Sequence, residues 1–66
     1  MQMTRSFRRW CEKRGIAVTH EDDTYYEFRA PEGFVFPNES RTRVIDIGDP
    51  DLTEAHIVLS LDLTRG

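Results

Sequence analysis

The sequence predicts an α+β domain: an antiparallel sheet of three or four strands packed against an N-terminal helix, with a C-terminal helix as the favoured last element. Three observations carry that expectation. Residues 3–11 repeat apolar side chains at helical spacing, residues 16–47 break into short runs that alternate apolar and polar side chains, and Gly or Pro punctuates the boundaries. With 66 residues, the chain is long enough for one domain and too short for two. A domain this small buries only about 60% of the surface its unfolded chain exposes, so its core is thin. Self-association, as a homodimer, is an expected way to complete such a core.

The first element is read from Met3, Phe7, Trp10 and Cys11, which fall at i, i+4, i+7 and i+8. They mark one face about 100° wide, the pattern of a helix docked on a core. Arg5, Arg9 and Lys13 line the opposite face. Thr4 or Ser6 supplies an N-cap, Glu12 is in reach of Arg8 or Arg9, and Arg14 lies below the apolar stripe. Gly15 fits the left-handed residue that ends a helix, with Ile16 as its apolar contact.

Residues 16–19 read as a short strand broken by His20-Glu21-Asp22-Asp23. Residues 24–30 form a second strand, with Tyr26, Phe28 and Ala30 on one face and Tyr25, Glu27 and Arg29 on the other. After the turn Pro31-Glu32-Gly33 comes a third, Phe34-Val35-Phe36. A possible fourth alternates Arg43, Ile45 and Ile47 with Thr42, Val44 and Asp46. Strands this close in sequence are most simply joined as a meander. For the last segment two patterns compete. Asp49 as N-cap and Pro50 at the first helical position favour a helix through residues 50–62. The alternation of Ile57, Leu59, Leu61 and Leu63, with the β-branched pair Ile57-Val58, favours a short turn or helix followed by a strand.

Composition narrows function mainly by exclusion. The single cysteine, Cys11, rules out an intrachain disulfide. The longest apolar run, Ile57-Val58-Leu59, is far too short to span a membrane, and nothing resembles a secretory signal, so a cytoplasmic location is expected. The net charge of −3 counts against general affinity for nucleic acid. It is unevenly distributed. Residues 1–15 carry Arg5, Arg8, Arg9, Lys13 and Arg14 against Glu12, a net of +4, whereas residues 16–66 carry four arginines and eleven carboxylates, a net of −7. The two parts attract each other within one fold or between subunits.

No catalytic, cofactor or metal constellation emerges. Cys11 lies within the apolar stripe, where a buried small hydrophobe explains it better than a nucleophile. His20 precedes Glu21, Asp22 and Asp23, but no His-x-His, HExxH or second cysteine accompanies it, and the aspartates read as turn residues. His56, Ser60 and Asp62 share a face only if their segment is a strand. Tyr25, Tyr26, Phe28, Phe34 and Phe36, interleaved with Arg29 and Arg43, outline a stacking surface, yet a domain this small needs most of them in its core. Tyr25 is the aromatic expected at the surface.

The order of elements resembles double-stranded-RNA-binding domains and the small toxin ribonucleases of antitoxin pairs. The toxin family places a histidine after a Gly-Ser pair at the start of a strand; here the turn reads Asp22-Asp23-Thr24 and His20 precedes it. The expectation is therefore a non-enzymatic binding or regulatory module without a cofactor. Arg5, Arg9, Lys13, Tyr25 and Arg43 are its candidate contact residues, and its partner is a protein or a second copy. A nucleic-acid-binding regulator using the basic helix is the alternative, and a small hydrolase or ribonuclease the third reading.

Overall fold

A computed structural model describes residues 3–66 as an α+β domain. In chain order it contains α1 (Arg5–Lys13), β1 (Ala17–Glu21), β2 (Tyr25–Arg29), β3 (Phe34–Val35), β4 (Thr42–Asp46), α2 (Glu54–Ser60) and β5 (Thr64–Arg65). Helix α1 starts as the sequence requires: the Thr4 hydroxyl accepts the Phe7 N–H at 3.1 Å. It ends at Gly15, whose φ of +73° belongs to the left-handed region, and the Ile16 N–H reaches back to the Cys11 carbonyl.

Three strands form an antiparallel sheet in the order β1-β2-β4. The predicted meander is interrupted. β3 leaves the sheet and pairs with β5, setting Phe34 opposite Arg65 and Val35 opposite Thr64. A partner about thirty residues downstream lies outside any local pattern. β1 also runs further than expected, through His20 and Glu21, because a bulge between Val18 and His20 re-aims its last residues. Beyond the bulge His20 is opposite Glu27 and Glu21 opposite Tyr26.

The C-terminal segment forms the favoured helix over a shorter span, Glu54–Ser60: Ile57 and Leu59 of the competing strand pattern lie inside it, and only Thr64–Arg65 beyond it is a strand. The helix begins at Glu54 with Thr53 as its cap, the Thr53 hydroxyl accepting the His56 N–H at 3.3 Å. Asp49 does not cap it. Its carboxylate accepts the Asp51 N–H and its carbonyl the Leu52 N–H, closing a turn instead.

One face of the sheet carries Tyr26, Phe28, Ala30, Ile45 and Ile47, all buried. Phe7 of α1 meets Phe28 edge-on, with ring centroids 6.1 Å apart. Cys11, Ile57 of α2, Leu61 and Phe36 complete the same core. The other face presents Thr19, His20, Tyr25, Glu27, Arg29, Thr42, Val44 and Asp46, none of them buried. No helix among the described residues is long and apolar enough to cross a membrane.

Candidate functional site

The expected contact residues do not form one surface. Arg5, Arg9 and Lys13 stand together on the outward face of α1, all exposed. With Ser6, Trp10 and Arg14 they line an open groove of about 340 Å³. Trp10 forms its apolar wall. Its ring stacks near-parallel on Phe7 at 5.9 Å on one side and carries the Arg14 guanidinium 4.2 Å from its centroid. Arg14 also reaches the Trp10 carbonyl at 3.4 Å, so this cation is held by the helix's own last turns.

Among the described residues no carboxylate pairs with Arg5, Arg9 or Lys13. The exception on α1 is Arg8, which binds Glu21 of β1 and is therefore spent on holding helix to sheet. Glu12 pairs with neither Arg8 nor Arg9. The attraction between the basic helix and the acidic remainder is thus met inside the fold at one point and left open along the rest of the stripe.

The acidic remainder is itself concentrated. The β1–β2 turn carries Asp22 and Asp23; Asp46 is opposite Tyr25, and the Ile47 N–H bonds the Thr24 carbonyl. Asp49 and Asp51 follow directly. Asp22, Asp23 and Asp46 thus stand at one end of the sheet.

Tyr25 lies elsewhere, half-buried on the outer sheet face, where its ring stacks on His20 at 4.3 Å. His20 in turn meets the Asp22 carboxylate at 2.6 Å. That hydrogen bond, then those from the Tyr25 N–H and from the Thr24 hydroxyl and N–H, hold the Asp22 carboxyl well below the usual carboxylate range. Asp22 is therefore the organiser of a turn. Arg43 shares the covered face with Ile45, opposite Phe28, and its Nε is buried with no hydrogen-bond partner among the described residues. Burial pushes the Cys11 thiol up to about 11, so it is protonated at neutral pH. His56 is exposed on α2, whereas Asp62 lies beyond Leu61, the C-cap of that helix. No three His, Cys, Asp or Glu side chains among the described residues are placed to hold a metal ion.

Two features escaped the sequence reading. The apolar spacing puts Trp10 with the core, but its half-buried ring also forms the wall of the groove; its position at the edge of the apolar stripe is the available signal. The bulge in β1, which carries His20 to the open face, leaves no mark in the residue pattern. Compared with protein-family models, curated proteins and solved structures, the chain has no match in any of the three.

Proposed function

We propose that this chain is a non-enzymatic binding module that docks a carboxylate-rich protein surface on the basic face of α1. One observation carries the reading: Arg5, Arg9 and Lys13 rise on successive turns, exposed and without an ion-pair partner among the described residues, beside the exposed flank of Trp10. The three charges span about 12 Å along the helix axis, which suits a partner helix or strand bearing a few acidic side chains. Trp10 adds an apolar contact of the kind that anchors protein interfaces. A protein partner is favoured over nucleic acid because the same small domain carries an acidic end. That end repels a polyphosphate wherever it comes within about 8 Å, the screening length at physiological salt.

Trp10 is the only tryptophan, so its emission reports on the groove directly. Titration with a glutamate-rich peptide at low salt is expected to change that emission, with affinity falling as salt rises. Changing Arg5, Arg9 and Lys13 together to Glu abolishes the response while leaving the circular dichroism spectrum intact. Tighter binding to single- or double-stranded nucleic acid than to the peptide overturns the protein reading, as does a triple variant that binds like the wild type.

A further inference from the structure

The sheet has two edges, and they differ in how they are guarded. β1 carries a bulge between Val18 and His20, a device that spoils an edge as a template, and Glu21 on that edge is tied to Arg8. β4 has no bulge, proline or lysine and keeps an unbroken register with β2 from Thr42 to Asp46. Its outermost groups follow from the ladder. The Ala30 N–H bonds the Arg41 carbonyl and the Ile47 N–H the Thr24 carbonyl, so the alternate residues Arg43 and Ile45 also turn their backbone groups toward β2. Thr42, Val44 and Asp46 turn theirs outward. At Thr42 the chain satisfies them itself, through the Ser40 hydroxyl at 3.1 Å and the Asn38 amide at 3.3 Å. The amides and carbonyls of Val44 and Asp46 have no partner among the described residues. Val44, on the outer face between them, is 55% exposed.

We propose that β4 pairs antiparallel with β4 of a second copy, Val44 opposite Val44 and Thr42 opposite Asp46, joining two three-stranded sheets into one of six strands. In this register the two Val44 residues exchange both of their backbone hydrogen bonds. Each Asp46 N–H donates to the opposing Thr42 carbonyl, whose second lone pair is available. The exposed Val44 side chains cover each other at the twofold axis, an isologous contact that closes on itself. Charge selects the register. Arg29 lies opposite Thr42 on β2 and is exposed; among the described residues it has no carboxylate partner, and Asp46 spends only one oxygen, on the Gly48 N–H. Pairing Thr42 with the second copy's Asp46 places Arg29 and that carboxylate in one cross-strand row, one strand apart from contact, a gap the long guanidinium stem bridges. Sliding by two residues, to set Val44 opposite Asp46, puts Asp46 in the row of Glu27 and brings like charges together. This interface does not use α1 and stands apart from the docking reading.

Cysteine placement tests it. Opposed residues of a hydrogen-bonded antiparallel pair have Cα atoms about 5.5 Å apart, inside the range a disulfide spans. Val44→Cys is expected to convert to a covalent dimer under mild oxidation, whereas Leu59→Cys, 70% exposed on α2, serves as the control and cross-links slowly. Cys11 is buried and does not compete. Light scattering of the wild type is expected to give a dimer mass, and Val44→Lys a monomer with an unchanged circular dichroism spectrum. Arg29→Asp or Asp46→Arg alone raises the dimer dissociation constant about tenfold, and the two together in one chain restore it. A wild type that is monomeric up to millimolar concentration, with Val44→Cys cross-linking no faster than Leu59→Cys, overturns the proposal. So does a dimer that persists in Val44→Lys. The α1 triple variant is expected to keep the oligomeric state of the wild type, so failure here leaves the docking reading intact.

Discussion

Helices α1 and α2 are capped by the same chemistry and fill the same core, yet they differ in how much of their surface has a structural purpose. Each starts with a threonine hydroxyl accepting an N–H three residues on. α1 buries Phe7 and Cys11 and leaves a continuous basic face in solvent; α2 buries Ile57 and leaves Leu59 bare. In α1 the apolar and charged residues separate cleanly around the axis, so packing and surface can be changed independently. In α2 seven residues serve mainly to bring Ile57, and Leu61 just beyond them, into the core.

The largest effects come from breaking the shared core from either helix. Phe7→Ala removes the ring that meets both Trp10 and Phe28 and is expected to cost about 3–5 kcal/mol; Ile57→Ala costs about 2–5 kcal/mol. A domain of this length holds only about 3–10 kcal/mol in total, so Phe7→Ala leaves much of the chain unfolded at 25 °C. Urea titration followed by circular dichroism measures both. If Ile57→Ala unfolds α2 while the Trp10 signal keeps its wild-type midpoint, the helices do not share one cooperative core.

Helix ends come next. Gly15→Ala places a Cβ where φ is +73° and 3.2 Å from the Pro31 Cβ, and the left-handed conformation alone costs about 1–2 kcal/mol. Thr4→Ala and Thr53→Ala each cost about 1 kcal/mol. Thr4 is expected to be the more expensive, because its hydroxyl also reaches Glu54 at 3.3 Å and links the start of one helix to the start of the other. Equal urea midpoints for the two alanine variants would deny that link any weight.

The same contrast explains what was legible beforehand. α1 announced itself because its stripe, its Thr4 cap and its Gly15 stop agree and are all local. α2 was obscured by Asp49-Pro50, since an aspartate that accepts an N–H two residues on closes a turn as readily as it caps a helix. The alternation Ile57-Leu59-Leu61-Leu63 suggested a strand, but burial follows helical spacing: Ile57 and Leu61 are fully covered while Leu59 is not. Arg43 falls beside Ile45 as alternation requires, which separates it from Tyr25. The basic stripe could be read from Arg5, Arg9 and Lys13. Its openness could not, because that depends on where the fold sends eleven distant carboxylates. The pairing of β4 with β2 was hidden for a similar reason: a meander sets β3 between them, and only the pairing of β3 with β5 brings β4 directly against β2.

The smallest effect lies away from both helices, in the turn that Asp22 organises. Its folded carboxyl ionises well below the ordinary value of about 3.9, through the hydrogen bond from His20 first and those of Tyr25 and Thr24 after it. A depressed carboxylate contributes stability that is complete above the unfolded value and is lost as pH falls through the folded one. Wild-type stability should therefore decline below about pH 4, and Asp22→Asn, which keeps an oxygen for the turn amides but has no charge to lose, should show a shallower decline. Because this turn serves the sheet on which α1 rests, Trp10 emission and backbone circular dichroism should report one acid midpoint. Two separate midpoints would mean that α1 detaches before the sheet unfolds, making the Arg8–Glu21 pair and the Phe7 contact weaker tethers than the shared core implies.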